Sequence, residues 1–151
     1  EKAGNTMSKV AQGAGLFGEL FEINEPEISI KPWFSTAAGN YVYALNQMLL
    51  HCEGDTIHVV PAIPGAWQEL SFNLPAFGDL LVEVKLERGR LTQLGLTPGK
   101  AHRSSSRTLV IPERLVDIAR LKKQPGITNV ATVDGEVWMD VAAQKPTKYA
   151  F

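Results

Sequence analysis

The sequence predicts a mainly β protein with α: one long helix followed by an antiparallel β-sandwich-like C-terminal domain. Apolar residues recur every three or four positions before Gly54, and every second position from Leu80 onward, so a helical period gives way to a strand period. Glycine-containing turns also separate two pairs of apolar segments, as in β-hairpins. The 151 residues, 44% hydrophobic and 21% charged, fit one domain or a small domain plus a piece of another.

The first 34 residues show no regular apolar period. They combine small residues, large apolar side chains and a turn signal at Pro26, which predicts a long ordered loop. The composition is not that of a disordered segment, so we expect something outside the loop to cover its aromatic side chains.

A helix is predicted from Ser35, a suitable N-cap, to Gly54, a suitable stop. Its apolar face has the spacing of a 3.6-residue period, at Ala38, Val42, Leu45, Leu49 and Cys52. A helix this apolar is expected to pack against the remainder of its parent chain or a second copy. Cys52 is predicted to be a buried, inert thiol. We place the domain boundary after residue 54, so that 1–54 holds the loop and helix and 55–151 the β-domain.

Two hairpins are predicted in the β-domain. Residues 80–87 alternate apolar and polar, and a turn at 87–90 leads to a partner strand through Leu91. Asp134-Gly135 is the preferred pair for a tight turn with positive φ. Between the hairpins, 99–107 is predicted to be a Ser-rich basic loop and 108–111 a short strand; 113–123 fits a helix or a strand, and a helix is favoured.

Charge and motifs exclude several function classes. The 15 basic and 16 acidic side chains leave no basic surface for nucleic acid or anionic lipid, and no segment has the length of a membrane span. The three histidines are isolated and no glycine loop fits a phosphate, so neither a metal nor a cofactor is predicted. The N-terminus lacks a signal peptide pattern and begins at Glu1, which we interpret as a mature form or a fragment.

Residues 48–51 are Met-Leu-Leu-His, residues 57–64 are Ile-His-Val-Val-Pro-Ala-Ile-Pro, and Trp67 follows. These segments resemble, without a gap, the C-terminal part of glycoside hydrolase family 95, the α-L-fucosidase-type enzymes. The family has Met-Leu-Leu-Gln, then Ile-His-Leu-Leu-Pro-Ala-Leu-Pro and Trp. A further family block matches at Leu74, Ala76, Gly78, Gly89 and Leu91, but both of its arginines are replaced. The resemblance covers about residues 32–96 and implies the last helix of an (α/α)6 barrel followed by a β-domain.

The family carries a catalytic aspartate just before this helix, and the same register places Thr36 at that position. A hydroxyl is no general base at neutral pH, whereas inverting glycoside hydrolysis needs one acid of raised pKa and one base. The catalytic residues are therefore unknown. Glu22, Glu25 and Glu27 are candidate replacement carboxylates near the helix start, weighed against ordinary solvated loop acids.

Three further residues are substrate-binding candidates beside Glu25 and Glu27. Trp33 could stack on a sugar face, although an aromatic beside a helix N-cap also fits a packing staple. Lys31 and Asn40 could contact a sugar, with a solvated lysine and a helix-surface amide as the alternatives.

Two functions stay open. The resemblance implies the C-terminal fragment of a glycoside hydrolase of carbohydrate metabolism, which braces the barrel, lines part of the active site and is inactive alone. Its substrate would be a glycan, and the full protein would be extracellular or periplasmic. The alternative is a non-catalytic carbohydrate-binding or structural accessory β-domain.

Overall fold

The computed structural model describes residues 19–24, 27–31 and 35–151. The chain forms two compact units, residues 1–46 and 47–151. The helices are α1 (Ser35–Leu49) and α2 (Ile118–Leu121), with a 3-10 turn at Glu113–Leu115. The strands are β1 (Glu19–Asn24), β2 (Glu27–Lys31), β3 (Leu50–Glu53), β4 (Thr56–Val59), β5 (Leu70–Ala76), β6 (Leu80–Glu87), β7 (Arg90–Pro98), β8 (Ser106–Pro112), β9 (Ile127–Val133), β10 (Glu136–Ala142) and β11 (Thr147–Ala150). The predicted class, mainly β with α, is confirmed.

The first unit contains an antiparallel hairpin of β1 and β2. Glu19 pairs with Lys31 and Asn24 with Glu27, and the register shifts between Leu20 and Glu22. The predicted loop over residues 1–34 is therefore wrong for these two segments, while the rest of that range lies outside the described residues. The sequence of β2 alternates isoleucine with polar residues, which is the strand period that the interpretation as a loop passed over.

Helix α1 begins at Ser35, as predicted, but ends at Leu49 instead of Gly54. The next four residues form β3, which pairs antiparallel with β4 across a turn where Gly54 has a φ of +59°. Pairing of β3 with the neighbouring strand β4 thus overrides the helical period, which continues in the sequence through Cys52. Cys52 is a free, half-buried thiol in β3, packed against the core and not on a helix face.

The second unit is a sandwich of two sheets. One has five strands in the order β3-β4-β8-β10-β9, and the other has four in the order β11-β7-β6-β5. Strand pairs are antiparallel except β4 with β8, which run parallel. A single apolar cluster draws on both sheets, since Ile57, Leu109 and Met139 from the first lie with Val82 and Leu94 from the second.

Alternating burial along each strand produces this core. In β6 every second side chain, from Leu80 to Leu86, is buried and the intervening ones face outward. Burying one such aliphatic side chain contributes about 1.5–3 kcal/mol, so the interior between the sheets is the main source of stability.

Tight turns connect the neighbouring strands. Asp134 and Gly135 both have positive φ, at 51° and 79°, which confirms the predicted turn between β9 and β10. Arg88 and Gly89 adopt the same left-handed pair, at 52° and 68°, in the predicted hairpin of β6 and β7. The β5–β6 turn also has two positive φ values, at Gly78 and Asp79.

Val60 is a strained position directly after β4. Its φ of 55° is rare for a β-branched residue, and its side chain is fully buried. The Val60 N–H donates to the Leu49 carbonyl over 2.7 Å, and the Ala62 N–H donates to that of Met48 over 3.3 Å. These bonds satisfy carbonyls that the end of α1 leaves without a helical partner.

The segment predicted as a helix over 113–123 contains two short helical turns. The first is the 3-10 turn, and the second is α2, whose N-cap Asp117 accepts hydrogen bonds from the backbone N–H groups of Ala119 and Arg120. The predicted strand over 108–111 is confirmed as part of β8. No helix within the described part of the chain has the length and apolar character to span a membrane.

Candidate functional site

The site residues predicted near the helix start fall in the first unit. Glu25 and Trp33 lie outside the described residues, and Glu22 is in β1. Glu27 and Lys31 are the first and last residues of β2, so their backbones are about 13 Å apart at the usual rise of a strand. The structure therefore does not bring Glu27 and Lys31 to one point.

The other two predicted residues of this group are in α1. Thr36, which the resemblance would place at the family's aspartate position, is the second residue of the helix. Asn40 is exposed on the helix surface, where a contact with a sugar and ordinary solvation are both possible.

Several carboxylates of the second unit already accept hydrogen bonds from protein groups. Asp55 pairs with Arg107, Asp79 accepts from the Ala101 N–H, and Glu83 accepts from Gln93 Nε2 over 2.5 Å. Asp140 accepts from two side chains. Such groups are occupied in holding the fold together, which is a structural role.

Asp140 illustrates this most clearly. Hydrogen bonds from Asn129 Nδ2, at 2.7 Å, and Thr108 Oγ1, at 2.8 Å, lower the pKa of its carboxyl. Lys85, by hydrogen bond and charge, likewise lowers the pKa of Glu87. A general acid for glycoside hydrolysis needs the opposite shift, so neither group has the properties of that acid.

A pocket of about 440 Å³ lies between residues 98–104, which include the end of β7, and the loop 144–146. Its lining includes His102, Arg103 and Lys145, together with the Gln144 amide, and no carboxylate. We call it the basic pocket. A concave volume of this size is in the range of small-molecule sites.

The β5–β6 turn holds the first loop of the basic pocket in place. The Gly99 N–H donates to the Asp79 carbonyl over 2.8 Å, and the Ala101 N–H donates to Asp79 Oδ2 over 2.7 Å. A Cβ at Gly99 would collide with the Asp79 carboxylate, so the close approach requires glycine. Asp79 thus fixes the loop through its carbonyl and its carboxylate.

His102 connects the basic pocket to the same turn. Its Nδ1 lies 2.7 Å from the Gly78 carbonyl oxygen, and because that oxygen only accepts, Nδ1 carries the hydrogen. Nε2 is buried and has no hydrogen-bond partner within the described residues. A buried nitrogen without a partner costs about 1–3 kcal/mol, which is unusual for a purely structural histidine.

Arg103 is oriented by backbone oxygens. Its Nη1 donates to the carbonyls of Lys100, at 2.9 Å, and His102, at 3.0 Å. Arg103 makes no other hydrogen bond or ion pair, through Nε or Nη2, with any residue that the structure describes. The same holds for the side chains of Gln144 and Lys145. The donors of the basic pocket are therefore available to a ligand.

A buried arginine lies beneath the turn that contacts His102. The Arg107 side chain is 5% exposed and pairs with Asp55, whose side chain is 80% exposed. A Cβ at Gly78 would collide with Arg107 Nη2, so this turn and the start of β8 are in close contact. The contact joins the two sheets beside the basic pocket.

Histidines elsewhere form no metal site. His51 and His58 are cross-strand partners in β3 and β4, with ring centroids 5.8 Å apart, and His58 meets the Trp138 ring edge-on at 6.1 Å. His58 Nε2 also lies 4.0 Å from Glu53 Oε2. Among the described residues no group of three or more His, Cys, Asp or Glu side chains could hold a metal ion.

Sequence reasoning located the basic loop over 99–107 but did not identify a site there. The second half of the basic pocket comes from residues 144–146, more than 40 positions later, and no motif links the two segments. Comparison of the chain with protein-family models and with curated proteins found no match. The resemblance to family 95 therefore stays a prediction.

Proposed function

We propose that this chain is the C-terminal portion of a carbohydrate-active enzyme, a glycoside hydrolase similar to family 95, and that it braces a helical barrel and lines part of its active site. The resemblance implies a helix that leads into a β-domain. The order of α1 and the sandwich agrees with that expectation. Its substrate class is a glycan.

The observation that carries this proposal is where the resembling residues lie. Ile57, Val59, Val60 and Ile63 of the Ile-His-Val-Val-Pro-Ala-Ile-Pro segment are buried, Val60 in a strained conformation. Gly78 and Gly89, which also match the family, both have positive φ. Val59, Val60 and Ile63 replace family leucines by other aliphatic residues, so the resemblance there is one of buried apolar character, and at the two glycines it is one of backbone conformation. These positions support the resemblance, whereas the matching Ala62 and Trp67 are exposed.

The chemistry favours a bracing role for this part of the enzyme. Thr36 supplies no carboxylate, and Asp140 and Glu87 have lowered pKa values. Hydrolysis requires an acid and a base on opposite sides of the bond, and the resemblance implies that the family's other catalytic groups lie upstream, elsewhere in the parent chain. The fragment by itself would be inactive.

The first experiment compares the whole gene product with this 151-residue chain on a panel of aryl glycosides that includes an α-L-fucoside. We expect the whole product to release the aryl group and the short chain to be inactive. A whole product without activity on any glycoside, or one no longer than this chain, would refute the proposal.

A second experiment tests the partner of the helix. Val42 and Tyr43 of α1 are 55% and 65% exposed, and the proposal places the remainder of the parent chain on this apolar surface. The double variant Val42→Ser/Tyr43→Ser should lower the melting temperature of the whole product and leave that of this chain unchanged. Phe77→Ser, at a side chain 67% exposed in the sandwich, is the matched control. A concentration-dependent dimer of this chain would instead assign the surface to a second copy.

The second candidate is a non-catalytic carbohydrate-binding domain. It is favoured by the exposed aromatic rings of Phe77 and Trp67, because such a ring can cover the C–H face of a sugar. Glycan binding by this chain that is lost in Phe77→Ala or Trp67→Ala, together with a whole product that is inactive on every glycoside, would support this candidate over the enzyme.

A further inference from the structure

The basic pocket has a local excess of positive charge in a chain whose net charge is only −1. Arg103 and Lys145 line it, and no lining residue is acidic. Asp79, which does not line the pocket, has its carboxylate beside Gly99, where it accepts the Ala101 N–H. We infer that the basic pocket binds a small organic anion.

The orientation of Arg103 indicates which group of the ligand it would contact. Both carbonyl contacts engage Nη1, which leaves the Nε and Nη2 edge of the guanidinium without a protein partner among the described residues. That edge presents two parallel N–H donors, the arrangement that binds a carboxylate or a phosphate through two hydrogen bonds. Lys145 adds a mobile ammonium from the opposite loop.

The loop is organised before any ligand arrives. Asp79 holds the backbone at 99 and 101, and the Gly78 carbonyl holds the His102 ring. Binding therefore requires little ordering of the first loop, which lowers its entropic cost.

The pocket is larger than a bare ion requires. About 440 Å³ accommodates a monosaccharide, and the neutral part of the lining suits one, since Gln144 offers an amide and Pro98 and Pro146 offer apolar surfaces. The ligand is therefore a sugar-sized molecule that carries a carboxylate or a phosphate, such as a uronic acid or a sugar phosphate. This inference does not rest on the proposed hydrolase function.

The test is calorimetric titration of this chain with glucuronate, glucose 6-phosphate, glucose and inorganic phosphate at low salt. We expect one or both of the charged sugars to bind, and to bind at least about tenfold more tightly than glucose or inorganic phosphate, because two charge-assisted hydrogen bonds are added to sugar contacts. The better of the two charged sugars identifies the oxyanion.

Variants locate the site. Arg103→Gln and Lys145→Gln should each weaken binding of the charged sugar about tenfold, while Lys123→Gln, an exposed lysine of the same unit outside the pocket, should not. Thermal unfolding of each variant verifies that it is folded. Four results would overturn the inference: no binding, equal binding of glucose, inorganic phosphate as tight as the sugars, or equal loss in Lys123→Gln.

Discussion

The two sheets of the sandwich are assembled in different ways. In the four-stranded sheet, β5, β6 and β7 follow one another along the chain and are joined by tight turns. In the five-stranded sheet, β4 and β8 are parallel neighbours although Asp55 and Arg107, which pair beside them, are 52 residues apart. Local turn chemistry is enough to pair β5, β6 and β7, whereas the pairing of β4 with β8 depends on contacts between distant segments.

The polar contacts differ in the same way. In the five-stranded sheet, Arg107 is buried beside Asp55, and Asp140 accepts from groups on both neighbouring strands. In the four-stranded sheet, the ion pair of Lys85 with Glu87 is about half exposed at both ends. Exposed pairs contribute little to stability, so substitutions of Lys85 and Glu87 should matter less than a substitution of Asp140.

The largest effect is expected where the two sheets meet. Gly78→Ala forces a Cβ into the left-handed region at φ +81° and against Arg107 Nη2. We expect a loss of about 2–4 kcal/mol in the free energy of unfolding, from the strained backbone and the overpacking together. Urea unfolding measures it.

Gly135→Ala is the matched control, since its φ is +79° and a Cβ there would meet nothing within 4 Å. This variant should lose only about 1–2 kcal/mol in the free energy of unfolding, because backbone strain is its only cost. Equal losses in the two variants would contradict the close contact between the turn and Arg107.

Asp140→Ala removes the acceptor that joins β8, β9 and β10. We expect a loss of about 1–2 kcal/mol at neutral pH, because Thr108 and Asn129 both lose a charged acceptor. The lowered pKa of Asp140 determines how its contribution to stability depends on pH. That contribution is present above the ordinary pKa of 3.8 and is lost as the pH falls through the folded pKa. Plots of melting temperature against pH for the two proteins should therefore converge below pH 3.8. Parallel plots would refute this role of Asp140.

Tyr149 in β11 of the four-stranded sheet has a fully buried ring whose hydroxyl has no hydrogen-bond partner among the described residues. Tyr149→Phe should therefore leave stability unchanged or raise it by up to about 1 kcal/mol. Burial raises the pKa of Tyr149 above 10.0, so its contribution is complete below pH 10.0 and disappears as pH rises through the folded pKa. In denaturant titrations, the phenylalanine variant should lose less stability above pH 10 than the unaltered protein does. A clear loss of stability at pH 7 would instead show that the Tyr149 hydroxyl has a hydrogen-bond partner.

The smallest effect is expected at Lys85. Lys85→Gln should not shift the melting temperature measurably, since Lys85 and Glu87 both remain well solvated when separated. The double variant Lys85→Gln/Glu87→Gln is the control, and it should behave like the single one. A measurable shift would contradict the small contribution expected of this exposed pair.

The distinction between local and distant strand pairing, which cuts across the two sheets, also explains what the sequence predicted. The hairpins β6–β7 and β9–β10 were predictable because turn residues and alternation lie within one short segment, as at Asp134-Gly135. The start of α1 at Ser35 was predictable from its cap for the same reason. The parallel pairing of β4 with β8 leaves no local mark in either segment.

The errors also have physical causes. The apolar period of α1 continues through Cys52, but pairing of β3 with β4 ends the helix at Leu49. The basic pocket needs both 98–104 and 144–146, and only the positive charge of its first loop is visible in the sequence. The predicted residues around the helix start gave no signal for it, because that hypothesis depended on the family resemblance.

The hydrogen bonds at the end of α1 determine how this domain could be moved between proteins. A graft beginning at Leu50 would contain every strand of the sandwich, yet the carbonyl at position 49 that accepts the Val60 N–H would belong to a foreign residue that the helix no longer positions. If that carbonyl is displaced, the Val60 N–H is left buried without a partner at a cost of about 1–3 kcal/mol, at a position where φ is already strained. The transferable module therefore includes the last turn of the helix, and a chimera made there should fold where one made at the first strand is destabilised.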